Sequence, residues 1–174
     1  MDRILHISLP DAREVLERGL RWAVGEAAVW RPEYDAVADW LSDNKGKGLL
    51  CFGGNGLGKT VICRDVMGNI FRHYLKKNYL VFTAYEMRGN IGSMKTTCPI
   101  YIDDVGVEPV FNDYGVHYEP FTEIIYNAEW YGTLLVLTTN LQPGEIRERY
   151  GEKTFDRLRS LVRPVAFTGE TMRR

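Results

Sequence analysis

Short runs of mostly apolar residues recur along the chain, and segments in which apolar residues have helical spacing lie between them. The five runs are Leu49–Phe52, Tyr79–Thr83, Pro99–Asp104, Thr133–Thr139 and Pro164–Thr168. Strands that are apolar on both sides are typical of a parallel sheet that helices cover on both faces. The pattern therefore predicts an α/β fold built around a five-stranded parallel sheet.

The segments between these runs predict helices that begin and end at recognisable residues. The predicted helices run from Asp11 to about Ala28, from Pro32 onward, from Lys59 to about Lys77, around Phe121–Ala128, and between Pro143 and Gly151. A polar, glycine-containing loop, SDNKGKG, precedes the first strand. We expect one domain over residues 1–174, with a helical lead-in at 1–47 and the sheet-forming core at 48–174.

Charge is distributed unevenly along the 174 residues. The formal net charge is −1, which excludes a strongly basic chain that coats nucleic acid by charge alone. Residues 1–44 carry 5 basic and 9 acidic side chains, whereas residues 147–174 carry 8 basic and 4 acidic ones. This asymmetry fits head-to-tail contact between copies, binding of a local polyanion, or ordinary solvated surfaces.

The three cysteines, Cys51, Cys63 and Cys98, have neither disulfide nor metal-site spacing. The N-terminal residues show no signal-peptide core, and no apolar run reaches the length of a membrane span. We therefore expect a cytoplasmic protein with reduced thiols and no membrane contact.

The stretch GGNGLGKT, between the first predicted strand and the third predicted helix, matches the phosphate-loop pattern of ATP- and GTP-binding proteins. Glycines allow backbone N–H groups to surround phosphate oxygens, and the following helix directs its positive end at the same anion. Lys59 would contact the β- and γ-phosphates, and the Thr60 hydroxyl is a suitable Mg²⁺ ligand. The alternative is a glycine-rich turn that binds nothing. The candidate nucleotide-binding residues are Gly53, Gly54, Asn55, Gly56, Leu57, Gly58, Lys59, Thr60 and Val61.

Two adjacent acids end the third predicted strand. Asp103 is a candidate Mg²⁺ ligand, acting through water, together with Thr60. Asp104 is a candidate for activating the water that attacks the γ-phosphate. Unpaired burial of two acids is costly, which favours a functional role over packing. The alternative is a helix-capping residue followed by a surface acid.

A polar tip also ends the fourth predicted strand, where Thr138, Thr139 and Asn140 follow an apolar run. The Asn140 amide would lie beside the two acids and hold the attacking water. A turn-forming asparagine before a helix is the alternative interpretation.

These three elements, in this order, resemble the AAA+ ATPases. The segments YGEKTFDRLR (150–159) and FTGETMR (167–173) are similar to those of DnaC/DnaI-type helicase loaders and the related IstB transposition ATPases. The resemblance covers about residues 48–173. It implies an AAA+ core of the P-loop NTPase fold, and we expect no full C-terminal lid domain.

The resemblance also implies a function and partners. ATP and Mg²⁺ would be the cofactors, and the chain would hydrolyse ATP as a helicase loader or remodelling ATPase in DNA replication. Arg157 would act as an arginine finger in a neighbouring subunit's site, and Arg173 would be a second sensor of the γ-phosphate. ATP-dependent assembly into a ring or helix is implied, with a replicative helicase or transposase as partner and single-stranded DNA as a further ligand. From the residues alone, the favoured interpretation is that Arg157 faces solvent on a helix.

Other functions stay open at this point. An IstB-like transposition helper would use the same chemistry. The second acid of the family is often glutamate, and the shorter Asp104 favours slow hydrolysis or a nucleotide-switched adaptor. A small nucleotide kinase is a further alternative, although no arginine-bearing lid insertion is evident. The segment AYEMRGNIGSMKTTC (84–98) is shorter than the family's usual DNA-contacting insertion.

Overall fold

The computed structural model describes residues 4–169, except for the side chain of Asp113. The strands are β1 (Gly48–Gly53), β2 (Leu80–Thr83), β3 (Ile100–Val105), β4 (Phe111–Asp113), β5 (Val116–Tyr118), β6 (Leu135–Thr139) and β7 (Val162–Phe167). Five of them form one sheet in the order β2-β3-β6-β1-β7, and every pair in it is parallel. The predicted five-stranded parallel sheet is confirmed. The antiparallel β4–β5 hairpin was not predicted.

Helices connect the strands. They are α1 (Ala12–Val24), α2 (Pro32–Ser42), α3 (Met67–His73), α4 (Met87–Asn90), α5 (Pro120–Tyr131), α6 (Pro143–Tyr150) and α7 (Glu152–Leu161). A π-helical segment, Val61–Val66, leads into α3, and short 3-10 turns follow α1 and β2. The helix after the phosphate loop ends earlier than predicted, because Lys76 adopts a positive φ of 53° and the N–H of Lys77 bonds the carbonyl of Phe71.

The sheet separates two hydrophobic cores, which explains why its strands are apolar throughout. Leu49 and Val136 point to one side, where they pack in a cluster with residues of α1, α2 and α3. Leu50 and Leu137 point to the other side, into a cluster with residues of α4, α5, α6 and α7. Alternation along β1 and β6 therefore buries both faces of the central strands.

The segment before β1 packs on the first of these cores. Trp40 of α2 is fully buried, and its indole N–H lies 2.8 Å from the Lys47 carbonyl and 3.0 Å from that of Gly48. Asn44 is also buried, and it accepts a hydrogen bond from the Ile7 N–H at 2.9 Å. These contacts hold the start of β1 against the lead-in.

Within residues 4–169, β7 is the last element, and no helix follows it in that range. None of the helices in the same range is both long and apolar enough to cross a membrane.

Candidate active site

The predicted functional side chains gather where three adjacent strands end. The phosphate loop follows β1, the two acids end β3, and Asn140 follows β6. Since β3, β6 and β1 are neighbours in a parallel sheet, their carboxyl ends lie at the same edge. Ligands of open α/β sheets bind at this edge. A cavity of about 230 Å³ lies there, lined by Asn55 to Val61, Asp104 and Asn140.

The first glycine of the loop is required by its surroundings. Gly53 has a φ of 139°, and a Cβ atom at this position would lie 2.1 Å from the backbone oxygen of Phe167 in β7. Gly56 and Gly58, farther along the loop, also have positive φ values, of 76° and 85°. The backbone can therefore curl around the cavity only with glycine at its base.

Lys59 reaches across the base of the loop. Its ammonium donates hydrogen bonds to the carbonyls of Gly53 and Gly54, at 2.8 and 2.7 Å, and to Oδ1 of Asn140 at 3.0 Å. Only 5% of the residue is exposed. Burial lowers the pKa of Lys59, while the nearby Asp104 carboxylate acts in the opposite direction. The structure thus places Lys59 and Asn140 in direct contact, which the sequence did not predict.

Asp103 is held by hydroxyl groups on one of its two oxygens. Its Oδ1 accepts hydrogen bonds from Thr60 at 3.0 Å, from Thr138 at 2.6 Å and from the Tyr101 phenol at 2.5 Å. Burial is the main reason why the pKa of Tyr101 is raised, so the phenol remains a donor at neutral pH. The Thr60 hydroxyl and the Asp103 carboxylate are hard oxygen donors of the kind that bind Mg²⁺. This part of the chain therefore fits the metal that the sequence predicted.

Sequence reasoning missed the roles of Tyr101 and Thr138 in this network. The signal for Tyr101 was its position two residues before Asp103, which places both side chains on the same side of β3. Thr138 was noted only as part of a polar strand tip. Its contact with Asp103 depends on the pairing of β3 with β6, which the sequence does not show.

Asp104 owes its direction to an irregularity in the sheet. Adjacent residues of a regular strand point to opposite faces. The pairing of β3 with β6 shifts between Ile102 and Val105, and Asp104 has a positive φ of 55°. Its N–H bonds the Thr138 hydroxyl at 3.0 Å, and Asp104 lines the cavity. Such a bulge redirects side chains, so that Asp104 lines the cavity while its neighbour Asp103 bonds the phosphate-loop residue Thr60.

Arg157 lies elsewhere. It projects from α7, forms an ion pair with Glu129 of α5, and places its guanidinium 4.4 Å from the centre of the Tyr126 ring. The described residues that line the phosphate-loop cavity do not include it. Arg173, the other arginine implied by the resemblance, lies outside the described residues.

Comparison with solved structures identifies the fold. The crystal structure of DnaI matches with a TM-score of 0.67 at 16% identity, over 92% of this chain and 93% of that chain. The DnaC helicase loader matches with a TM-score of 0.58 at 16% identity over the same shares. AMPPCP-bound DnaA from Aquifex aeolicus matches with 0.57 at 14% identity, over 84% of this chain and 50% of that chain. No protein-family model matches the chain, and no curated protein matches it in sequence. The chain therefore has the P-loop NTPase fold of the AAA+ type that these three structures share.

Proposed function

We propose that this chain binds ATP with Mg²⁺ and hydrolyses it as a DnaC-like helicase loader or remodelling ATPase in DNA replication. The observation that carries the proposal is the convergence of Lys59, Asp104 and Asn140 on one cavity, beside the contact of Thr60 with Asp103. AMPPCP, an ATP analogue, is bound by DnaA, which has the same fold. We also propose that residues 1–174 belong to a single domain.

The size of the cavity suits the phosphate chain of the nucleotide. Its volume of about 230 Å³ is below the ~300–1,000 Å³ of a typical site that encloses a whole ligand. Loop N–H groups would bind phosphate oxygens, and Lys59 would exchange its contacts with Gly53 and Gly54 for the β- and γ-phosphates. Mg²⁺, held through Thr60 and Asp103, would neutralise phosphate charge when bound.

Hydrolysis would then use Asp104 and Asn140, two further polar side chains of the cavity. Water attacks the γ-phosphorus, its proton passes to the Asp104 carboxylate, and the bond to the bridging oxygen breaks to give ADP and phosphate. Asn140 would orient this water through its amide. Tyr101 and Thr138 would keep the Asp103 carboxylate in one orientation, as outer groups do around metal ligands.

Self-association and partners are proposed from the resemblance. Arg157 would act in a neighbouring subunit's site, which is compatible with its absence from the described residues that line the cavity of its own chain. A contact of this head-to-tail kind generates rings or open helices. The partner would be a replicative helicase, with single-stranded DNA as a further ligand. An IstB-like transposition helper, which would act with a transposase, is the alternative with the same chemistry.

The decisive experiment replaces Asp104 by asparagine, which cannot accept the proton. The Asp104→Asn variant should bind ATP with parental affinity in calorimetry and lose phosphate release. Chelation of Mg²⁺ should abolish phosphate release in the parent. Parental turnover in Asp104→Asn would contradict the role of Asp104. An absence of hydrolysis in the parent, with and without single-stranded DNA or a helicase, would instead favour a nucleotide-switched adaptor.

A further inference from the structure

A buried acid, Glu108, fastens the loop that follows the two site acids. Glu108 is 2% exposed, and its Oε2 accepts a hydrogen bond from the Gly106 N–H at 2.8 Å. Its Oε1 accepts one from the Tyr150 hydroxyl and forms an ion pair with Arg149, whose Nη2 lies 3.6 Å away. The same nitrogen of Arg149 donates to the backbone oxygen of Glu108 at 2.5 Å. The loop is thereby attached to the end of α6.

The backbone is strained at Asp104, where this loop begins. Asp104 has a φ of 55°, a region that is unfavourable for most residues and less so for aspartate. The turn closes with a bond from the Val107 N–H to the Asp104 carbonyl at 3.2 Å. Such a conformation persists only when the surroundings hold it.

The loop also lies against the segment that carries the other polar tip. A Cβ atom on Gly106, where φ is 106°, would lie 2.5 Å from Cδ1 of Leu141, the residue after Asn140. Glu108 thus binds Gly106 while Gly106 contacts the segment next to Asn140. Through the 105–108 loop, the buried Glu108 carboxylate connects the segments that carry Asp104 and Asn140 to α6.

We propose that Glu108 is a positioning residue, which holds the Asp104 carboxylate at the phosphate-loop cavity by tying the 105–108 loop to Arg149 and Tyr150 of α6. The inference rests on the proposed role of Asp104 in hydrolysis. Glu108 is buried and is not among the described residues that line the cavity, so we do not expect it to touch the nucleotide.

The chemistry of the carboxylate matters as well as its shape. Tyr150 keeps its proton at neutral pH, because burial and the neighbouring Glu108 raise its pKa. Glu108 therefore needs two acceptor oxygens, one for Tyr150 and one for Gly106. The two donors meet different oxygens of Glu108. Glutamine has the same size but would turn its amide NH₂, itself a donor, toward one of them, and it leaves Arg149 without this charge partner.

The first test is steady-state ATP hydrolysis by the Glu108→Gln variant. A displaced catalytic group can cost about 100-fold in rate, so kcat should fall about 10- to 100-fold, while KM for ATP stays within about threefold. The matched control is Glu33→Gln. Glu33 lies on α2 and forms another buried ion pair, with Arg31 at 3.0 Å, which this substitution breaks. The control variant should lose about as much thermal stability, measured as Tm, as Glu108→Gln does, but it should keep the parental kcat. An unchanged kcat in Glu108→Gln, or equal losses in both variants, would overturn the proposal.

The second test asks whether Glu108 acts through Asp104. If it does, the double variant Asp104→Asn with Glu108→Gln should be no slower than Asp104→Asn alone. A further 10- to 100-fold loss would mean that Glu108 acts independently, and the positioning role would be wrong. If Asp104→Asn itself hydrolyses ATP at the parental rate, the proposed function fails at that residue, and this result is distinct from a failure of Glu108.

The third test does not depend on hydrolysis. Hydrogen exchange of the Gly106 amide should accelerate at least tenfold in Glu108→Gln, whereas amides of α3 should keep their parental rates. The Glu33→Gln control should leave Gly106 unchanged. Parental protection of Gly106 in Glu108→Gln would show that the loop is held without the carboxylate.

Discussion

Replacing Lys59 by alanine removes the ammonium that already bridges the loop and Asn140. A charge-assisted hydrogen bond to phosphate is worth about 1.5–3 kcal/mol. Lys59 must first give up its contacts with Gly53 and Gly54, so we expect the lower part of that range, about 1.5–2 kcal/mol. Since 1.4 kcal/mol corresponds to a factor of ten, Kd for ATP should rise about 10- to 30-fold. The effect on folding should be small, because burial of the ammonium is itself unfavourable, as its lowered pKa shows.

Calorimetric titration with ATP and Mg²⁺ measures this change directly. Lys153→Ala is a suitable control, since Lys153 lies on α7 and is exposed, and it should bind ATP as the parent does. AMP lacks the β- and γ-phosphates, so Lys59→Ala should weaken ATP binding much more than AMP binding. Unchanged ATP affinity in a folded Lys59→Ala protein, or an equal loss for AMP, would refute the assignment of the site.

Two further predictions concern the subunit contact and the aromatic core. Arg157→Ala should bind ATP normally and hydrolyse it up to about 10³–10⁵ times more slowly. Mixing it with Lys59→Ala subunits should restore part of the activity. If the two variants co-assemble in sedimentation and no activity is recovered, action of Arg157 in trans is excluded. Burial raises the pKa of Tyr79 above the unfolded value of about 10. Its contribution to the free energy of unfolding is therefore intact below pH 10 and falls by about 1.4 kcal/mol per pH unit above it. Urea unfolding at pH 9 and pH 11 should show a smaller loss in Tyr79→Phe than in the parent, and equal losses would contradict this assignment.

The elements that the sequence predicted are those whose signals are local. Apolar runs located the five sheet strands, and glycine spacing located the phosphate loop. The β4–β5 hairpin was missed because its local signals are weak: Val116 is exposed, so no buried face marks the strand. Its turn places Tyr114 and Gly115 at positive φ values of 52° and 82°, and tyrosine is an unusual residue for such a position.

The missing parts of the site depend on contacts between distant segments. Tyr101 lies in an apolar run and resembles a core residue, although its hydroxyl reaches Asp103 along the same strand. Only the β3–β6 pairing shows that Thr138 meets the same carboxylate. Glu108 is similar, because its partners on α6 lie about forty residues away. A single sequence gives the residue types at these positions, whereas strand pairing and helix packing decide which of them meet.

The ion pair of Arg157 with Glu129 bears on whether this arginine can act in another subunit. The side chains of Arg157 and Glu129 are 39% and 47% exposed, and exposed pairs of this kind are worth about 0–1 kcal/mol. Stacking on Tyr126 adds about 0.5–1 kcal/mol at an exposed site. A hydrogen bond to a charged group, such as that between a guanidinium and a phosphate, is worth about 1.5–3 kcal/mol. Together the contacts within the chain are worth about 0.5–2 kcal/mol, against about 1.5–3 kcal/mol for the phosphate, so they can hold Arg157 in the free subunit without preventing its transfer to a neighbour.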